Sequence, residues 1–423
     1  MNIVKRLMPL LCVLLVLFAV SVTSSCSRNN ESSVKDVVKN ELDQLKNLNS
    51  ETTQKYIPYK ELFPDATENT NLSDEINEVF SLFFQKFDYE ILDVSVDAAN
   101  NSATTSVKLT TIDAQALAKD FAAELLRTRI TEAAQAQTGS IKDSSKSLEA
   151  HYLILNQLLK NNEYDSAETN CSIPLVNTSS DKKEKWEIQC TNFLENELVG
   201  GLIADLADPD ILSPENTLTV YLDTLEKLDL KEMSSYLGVV NIMNTDDPAK
   251  NSIAAALVEQ VRKNFKYIIK SSSENGYNAT VTTEITTFDS DSILSDYQSR
   301  LDDYLASADA VIDGSQKRYE KSLEFLLDSI NNNTATTVND VDFVLINDGV
   351  SWKLQDEGNT LGDAIFGTLT DSPLENSQDT DSKDTDSQNN QNAPNSDSST
   401  DSPNNSNSDS DSNGPLKDSH NLV

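Results

Sequence analysis

One pattern of alternating polar and apolar residues occurs twice in the chain. The first copy lies at residues 103–113 and reads ATTSVKLTTID, and the second lies at residues 279–289 and reads ATVTTEITTFD. An alternation with a period of two predicts a β-strand with one buried face. The buried parity carries Val107 and Leu109 in the first copy and Ile285 in the second. We therefore predict a duplicated domain with this strand near the middle of each sheet.

The elements that precede this strand are repeated as well. The first copy has a predicted helix that begins at Ser33, and the second has one that begins at Ser213-Pro214, because Ser and Pro are typical of helix starts. Equivalent positions are 180 residues apart: Leu42 and Leu222, Asp43 and Asp223, Leu45 and Leu225, Tyr56 and Tyr236. A further helix and one strand follow in each copy, so the central strand has a hairpin partner.

Two helices are predicted after each central strand. Apolar residues at helical spacing run from Ala114 to Ile130 in the first copy and from Leu294 to Ile312 in the second. Each copy then has another helix, near residues 148–159 and 319–330. We interpret each pair as a helical hairpin inserted between the second and third strands.

A second β-hairpin is predicted to close each sheet. Its strands are Cys171–Val176 with Lys185–Cys190 in the first copy, and Val341–Ile346 with Val350–Gln355 in the second. The turn of the second hairpin contains Asn-Asp-Gly, which is typical of a tight turn.

The predicted fold class is α+β, with two tandem domains at residues 34–203 and 213–369. Each would be a curved antiparallel sheet of about four strands packed with helices. Residues 203–212 form a short acidic joint between them. Residues 371–423 are rich in Ser, Asp and Asn and contain no aromatic residue, so a disordered acidic tail is predicted there.

The N-terminus carries an export signal. Lys5 and Arg6 precede an apolar run at residues 7–22, which predicts a signal peptide at residues 1–25. The sequence Ser24-Ser25-Cys26 at its end resembles the lipobox of bacterial lipoproteins, although Thr23 stands where that family usually has Leu.

The lipobox resemblance implies that the Cys26 thiol is joined to diacylglycerol and that cleavage leaves Cys26 as the new N-terminus. Two acyl chains such as palmitate are enough for stable anchoring in a bilayer. The protein would then be held on the extracytoplasmic side of the cell membrane, with residues 26–33 as a polar tether. The alternative is an ordinary signal peptide with an incidental cysteine.

Charge and histidine content narrow the classes of function. The formal net charge of the 423 residues is −36, so nucleic acid is an unexpected partner because its binding needs clustered Lys and Arg. His151 and His420 are the only histidines, which disfavours histidine-based catalysis and zinc sites. We predict no metal site, no cofactor and no catalytic residues.

Two body cysteines suggest a disulfide. If the hairpin is reflected about the loop at residues 177–184, Cys171 lies opposite Cys190, within the reach of a disulfide. Exported proteins commonly form such bonds. The alternative is two free thiols. The second copy has no cysteine, so its fold does not need this bond.

The two copies resemble nuclear-transport-factor-2-like domains of the cystatin-like fold, which occur in many bacterial lipoproteins. The residues that carry the resemblance are YLDTLEKLD at 221–229 and VSWKL at 350–354. The resemblance implies a cone between helices and sheet that often holds a ligand. Four aromatic residues would line this cone or pack in the core: Trp186, Trp352, Tyr56 and Tyr236.

Other candidate groups have simpler interpretations. Asp113 and Asp289 directly precede predicted helices, where an Asp side chain is a typical cap. His151 is expected to have a structural role. Asp289-Ser290-Asp291 faintly suggests calcium, but the sequence lacks the twelve-residue loop with its closing Glu.

We therefore expect a lipid-anchored, extracytoplasmic, non-enzymatic protein that acts as a binding or interaction scaffold or organises a complex of the cell envelope. The alternative is a small-ligand-binding lipoprotein that uses the cone of one or both domains. Because single domains of this fold often dimerise through their sheets, the tandem is expected to be a monomer with an internal pseudo-dimer.

Overall fold

Two antiparallel sheets of four strands form the framework of the computed structural model. It describes residues 27–60, 62–64, 66, 73–136, 147–179, 185–237, 248–355 and 357–369. The predicted signal peptide, Cys26 and the acidic tail lie outside these residues. The predicted α+β class with one sheet in each repeat is confirmed.

Along the chain of the first repeat, helices precede the first strand and follow the last strand. Its described elements are α1 (Ser27–Lys46), α2 (Ser50–Tyr56), α3 (Ser73–Phe83), a 3₁₀ turn (Phe84–Lys86), β1 (Asp88–Asp97), β2 (Ser102–Ile112), α4 (Ala114–Ala136), α5 (Leu148–Asn161), β3 (Ser166–Asn177), β4 (Trp186–Ile188), α6 (Asn192–Leu198) and α7 (Leu202–Leu206).

The second repeat has the same order of strands, but among the described residues it has an additional short helix, α12, and no helix equivalent to α7. Its described elements are α8 (Pro214–Lys227), α9 (Leu230–Tyr236), α10 (Pro248–Asn264), β5 (Lys266–Asn275), β6 (Asn278–Phe288), α11 (Ser290–Leu305), α12 (Ala308–Ile312), α13 (Ser315–Asn332), β7 (Thr336–Asn347), β8 (Trp352–Leu354), α14 (Glu357–Phe366) and a 3₁₀ turn (Gly367–Leu369).

The repeated strand of the sequence is the second strand of each sheet, as predicted. The strand orders are β1-β2-β3-β4 and β5-β6-β7-β8, and all pairs are antiparallel. Along β2, Val107 and Leu109 are fully buried, whereas Lys108 between them is partly exposed. Ile285 is 1% exposed in β6. One face of each sheet is therefore turned to the core.

The two sheets share an irregularity at the same place. Pairing between β1 and β2 shifts between Ile91 and Asp93, and pairing between β5 and β6 shifts between Ile269 and Ser271. The extra residues are Leu92 and Lys270, which are equivalent in the two repeats. Since a β-bulge bends its strand and increases the local twist, both sheets are bent at the same point.

A helix and a tyrosine fix the first strand of each sheet in the same way. Tyr89 in β1 donates a hydrogen bond from its hydroxyl to Asp43 Oδ1 in α1 at 2.6 Å. Tyr267 in β5 donates to Asp223 Oδ1 in α8 at 2.5 Å. The Tyr89 hydrogen bond is the main reason that the pKa of Asp43 lies below its usual value. The duplication is thus visible in side-chain contacts as well as in the backbone.

Helix α1 begins earlier than the sequence predicts. The structure has its first residue at Ser27, so Ser33 lies inside the helix and residues 27–33 are helical. Neither Gly nor Pro occurs between residues 27 and 46 to stop the helix from extending backwards. Among the residues whose burial is described, the first fully buried side chain is that of Val34.

The inserted helices of the second repeat differ from their predicted pattern. The predicted apolar face extends to Ile312, but α11 ends at Leu305, and Ser307 caps the separate helix α12 by accepting a hydrogen bond from the backbone N–H of Ala310. Leu305 is 51% exposed and Ile312 is 80% exposed. The apolar residues at helical spacing in the sequence therefore extend beyond the last helical turn that packs on the core.

A helix after the last strand of each sheet is missing from the sequence prediction. Helices α6 and α14 both place apolar residues against the core, and each is followed by a glycine with positive φ. Gly200 has φ +64°, and a β-carbon on it would lie 2.4 Å from Thr111 Oγ1. Gly367 has φ +53°, and its β-carbon would lie 2.8 Å from Ser290 Oγ.

The repeats contact each other through helices rather than through the outer faces of their sheets. Helix α4 of the first repeat packs against α8 and α9 of the second. Gln135 in α4 donates a hydrogen bond to Glu232 in α9. Both repeats belong to one compact unit, Met1–Ser372, and the second unit, Pro373–Val423, lies outside the described residues. The sheet-to-sheet packing that the pseudo-dimer prediction implies is not the packing seen.

Replacing Gly200 tests the close approach of this turn to the sheet. We expect Gly200→Ala to lower the free energy of unfolding by about 3 kcal/mol or more, because it combines a strained φ with overpacking against Thr111. Urea denaturation of the full chain measures the loss. Gly276→Ala is the matched control, since Gly276 has φ +63° and no atom within 4 Å of its β-carbon position. Its cost should be about 1 kcal/mol, and equal losses for the two variants would contradict this account.

Candidate functional sites

The acidic joint between the repeats is fixed to the second sheet by one carboxylate. Asp210 Oδ1 accepts a hydrogen bond from Trp352 Nε1 at 2.9 Å and another from Asn347 Nδ2 at 2.8 Å. Trp352 is 4% exposed and Asn347 is 7% exposed. Asp210 is the acceptor for the buried indole N–H of Trp352, whereas Asn347 Nδ2 also donates to the backbone carbonyl of Pro209 at 3.3 Å. This contact sets where the joint runs across the second repeat.

A cavity of about 110 Å³ lies between the repeats, next to this contact. Its walls come from helix α4, from the joint and from the β7–β8 turn. Side chains from all three parts line it, including Phe121, Leu125, Arg129, Ile211 and Trp352. Asp208 and the exposed Val350 also belong to the lining. The cavity therefore combines apolar walls with one cationic and one anionic side chain.

The space between helices and sheet in the first repeat, where the predicted cone would lie, is filled. A continuous core of buried side chains occupies it, including Phe84, Leu109, Tyr152 and Trp186. Buried aromatic rings pack against one another there, as Phe63 and Phe121 do with centroids 5.2 Å apart. The cavity between the repeats thus lies outside the predicted cone.

The two predicted tryptophans are both buried but have different surroundings. Trp186 is 6% exposed, and its Nε1 has no hydrogen-bond acceptor among the described residues. Trp352 bonds to Asp210 and lines the cavity. Equivalent positions therefore serve the core in the first repeat and the contact between repeats in the second.

The two predicted tyrosines occupy equivalent helices. Tyr56 is 1% exposed, and the ammonium of Lys55 lies 4.5 Å from the centroid of its ring. Burial, aided by the nearby Glu41, raises the pKa of Tyr56 far above its usual value, so its phenol stays protonated. Tyr236 is partly buried at the end of α9. Neither lines the cavity described above.

The two body cysteines are free thiols in the structure, which differs from the predicted disulfide. The hairpin pairs Leu175 with Ile188 and Asn177 with Trp186, a register shifted by two residues from the predicted one. Strand β4 ends at Ile188, so Cys190 lies beyond the paired region. Cys171 is buried and pairs with Val107 of β2 on its other side.

Both thiols are protonated at neutral pH. Burial, together with the nearby Glu195, raises the pKa of Cys190 to about 11. Burial also raises the pKa of Cys171 to about 12. Because the thiolate is the reactive form of cysteine, neither is suited to act as a nucleophile.

The remaining sequence candidates have structural roles. Asp113 Oδ1 accepts a hydrogen bond from the Ala116 backbone N–H at 3.0 Å, and Asp289 Oδ1 accepts one from Ser292 at 3.2 Å. Both are helix caps, as predicted. His151 packs against the ring of Phe63, with ring centroids 4.7 Å apart. Within the described ranges, no group of three or more His, Cys, Asp or Glu side chains could hold a metal ion.

The outer faces of the two sheets differ in chemistry. We define the second outer face as Ile268, Val338, Val344 and Ile346, which are exposed by 61%, 56%, 38% and 37%. Strand register matches these positions to the following residues of the first sheet: Glu90, Glu168, Pro174 and Val176. Two glutamates of the first repeat are thus replaced by exposed β-branched apolar residues in the second. Sequence alternation could have revealed this, because these residues lie on the outward parity of their strands.

Comparisons with known proteins add little to this description. A search of solved structures finds the crystal structure of a "putative lipoprotein (ycdA)" from Bacillus subtilis, at 14% sequence identity and a TM-score of 0.25, over 66% of this chain and 96% of that chain. No protein-family model and no curated protein matches the chain. A TM-score this low supports no conclusion about fold or function. The resemblance to nuclear-transport-factor-2-like domains therefore stays a prediction.

Within the described residues, no helix combines the length and the apolar character that a membrane span requires. The predicted signal peptide lies outside this part of the chain.

Removing the Asp210 carboxylate tests its role in holding the joint. We expect Asp210→Ala to lower the free energy of unfolding by about 1 to 3 kcal/mol, because the buried N–H of Trp352 loses its acceptor and Asn347 Nδ2 keeps only its longer bond to the Pro209 carbonyl. Tryptophan emission during thermal unfolding measures this. Asp210→Asn keeps one acceptor oxygen and should cost less.

Asp303→Ala, an exposed change of the same charge on α11, is the control and should have almost no effect. A loss in Asp303→Ala that equals the loss in Asp210→Ala would mean that net charge, and not the contact, is responsible.

Proposed function

We propose that this protein is a lipid-anchored, extracytoplasmic interaction scaffold without catalytic activity. The lipid anchor rests on the basic leader, its apolar run and Cys26. The non-enzymatic role is supported by the state of the candidate chemical groups. Asp113 and Asp289 cap helices, His151 packs between aromatic rings, and the cysteine thiols are protonated.

The second outer face carries the proposal of a protein partner. Ile268 and Val338 are more than half exposed, at positions where the first repeat has Glu90 and Glu168. The apolar residues lie at the two ends of this face, Ile268 and Val338 at one end and Val344 and Ile346 at the other, with the Lys270 ion pairs between them. Exposed apolar surface rimmed by polar residues is typical of an interaction site. The sheet geometry does not require these residues, since the first repeat forms the same sheet with charged ones.

Charge defines the kind of partner. The formal net charge of −36 opposes pairing of two copies of this chain, because like charges repel on approach. At the middle of the second outer face, Lys270 is already paired with Glu284 at 2.8 Å and with Asp340 at 2.7 Å. The partner that fits is a protein with an apolar patch and a net positive charge.

Lipidation is tested by metabolic labelling of the full chain with a palmitate analogue. We expect label on the wild-type protein and none on Cys26→Ala, because Cys26 would be the residue that carries the acyl chains. Cys12→Ala, a cysteine change within the predicted signal peptide, should label like the wild type. Label that remains on Cys26→Ala would exclude the anchor.

The protein partner is tested by photo-crosslinking in intact cells. A crosslinkable residue at Val344, on the second outer face, should capture one defined basic protein, whereas the same residue at Ser172 on the first sheet should not. Introducing the charges of the first repeat through Ile268→Glu and Val338→Glu should abolish the crosslink by placing desolvated charges at the contact. The melting temperature should change little because both side chains are exposed.

A matched pair of variants controls for surface change in general. Glu90→Ile and Glu168→Val alter the equivalent positions of the first sheet, and the crosslink from Val344 should persist in them. Capture of a second copy of this chain, or a crosslink that survives the two glutamates, would contradict the proposed partner.

One observation favours a second function, the binding of a small ligand. The cavity between the repeats, beside the buried core of the first repeat, provides a place for it.

A further inference from the structure

The cavity between the repeats has one cationic side chain, that of Arg129. Arg129 on α4 is partly buried and lines the cavity. Arg127, two residues earlier on the same helix, pairs with Glu124 at 2.9 Å. Arg129, by contrast, has no ion pair or hydrogen bond within the part of the chain that the structure describes. A partly desolvated guanidinium without a partner favours a negatively charged group nearby.

Most of the remaining wall is apolar, with Thr217 and Ser351 as its uncharged polar members. The apolar part includes Phe121 and Leu125 of α4, Ile211 of the joint and Trp352 of the second sheet. Asp208 also belongs to the lining and is exposed. Its carboxylate disfavours a ligand with more than one negative charge. The complementary ligand therefore has an apolar body and a single anionic group.

The cavity volume limits the size of that ligand. An apolar protein cavity of about 150 Å³ holds one benzene molecule, so a cavity of about 110 Å³ holds a body of about six heavy atoms when part of the ligand extends to the open side. Larger ligands such as long-chain lipids do not fit inside. Arg and a carboxylate form paired, charge-assisted hydrogen bonds that match in geometry.

The second repeat has no arginine at the position equivalent to Arg129. Position 129 corresponds to Leu305 in the second repeat, which is 51% exposed and lies at the end of α11. The equivalent of the joint would follow the second repeat, in residues outside the described part. The duplication therefore does not require an arginine at this position.

We propose that the cavity between the repeats binds a small monocarboxylate with an apolar body, and that Arg129 holds its carboxylate. Trp352 forms part of the apolar wall and reports on occupancy. This proposal is independent of the second outer face and of the lipid anchor, so it can fail while both of those stand.

The test is a ligand-observed NMR titration at pH 7 with hexanoate and hexanol as probes. The full chain is used with Cys26→Ser, which removes the proposed lipid. Hexanoate should saturate with a Kd on the order of 1 mM, which suits so small a ligand. Hexanol, which has the same chain without the charge, should bind at least about tenfold more weakly. Equal affinities, or no saturation by hexanoate, would overturn the proposal.

Variants then assign the carboxylate contact to one residue. Arg129→Leu, the residue of the second repeat, should weaken hexanoate by about tenfold or more and leave hexanol unchanged. Arg127→Leu makes the same change of charge outside the cavity and should bind both probes as the wild type does. Arg129→Lys keeps the positive charge and should retain a preference for hexanoate even if Arg129→Leu does not fold. Hexanoate binding that is unaffected by Arg129→Leu would exclude this site.

Tryptophan fluorescence tests independently where the ligand binds. In Trp186→Phe, Trp352 is the remaining tryptophan, and its emission should change with the same Kd that NMR gives. If hexanoate binds while Trp352 emission stays constant, the ligand lies elsewhere and the proposal is wrong.

Discussion

A sheet with one apolar face must be covered, and this requirement organises both repeats. In each repeat the inner parity of the second strand carries the buried residues, and a long helix lies across the sheet to cover it. The same accessory features recur around this packing: a bulge in the first strand, a Tyr–Asp hydrogen bond to the covering helix, and a left-handed glycine after the helix that follows the last strand. Each of these features fixes the position of the backbone near the sheet.

At two positions of the inner sheet face, the two repeats keep the shape of the side chain but not its polarity. Thr105 and Val107 of the first repeat correspond to Val281 and Thr283 of the second, and all four are buried. The hydroxyls of Thr105 and Thr283 have no hydrogen-bond partner among the described residues. A buried hydroxyl without a partner costs about 1 to 3 kcal/mol. Because Val and Thr have nearly the same β-branched shape, each repeat keeps its packing while it accepts one such cost.

Sequence reasoning finds the elements that have strong local signals. The alternation of β2 and β6 and the caps Asp113, Asp289 and Ser213 all follow from residue type and spacing, and the structure has each where predicted. The start of α1 is harder to predict, because no glycine or proline marks a boundary before Ser33. Helix α6 has only seven residues, too few for helical spacing to stand out.

Other features depend on contacts between distant residues and leave no local signal. The register of β3 with β4 differs from the prediction because reflection about the loop assumes a symmetric turn, and a shift of two residues preserves which side chains face inward. The Asp210 contact joins residues that are 137 and 142 positions apart. The cavity beside it arises from the packing of two repeats, so neither repeat alone contains it.

The differences between the repeats fall where the covering requirement is absent. An outer sheet face packs against nothing in its own repeat, so its side chains are free to change, and those of the second sheet have become apolar. The same freedom applies to Arg129, which lies at the boundary of two repeats rather than in either core. A function that arose after duplication is therefore expected at such positions, because changes there leave both sheets intact.

Helix α1 gives the proposed anchor a mechanical consequence. The helix begins at Ser27, directly after Cys26, and its first fully buried residue is Val34. At 1.5 Å per residue, the path from Cys26 to the packed domain is about 12 Å, little more than the distance over which physiological salt screens charge. A chain with a net charge of −36 is repelled by an anionic membrane at that distance. A flexible tether would let the domain move away from the membrane under this repulsion. A helical segment limits both how far and in which directions the domain can move away from its anchor.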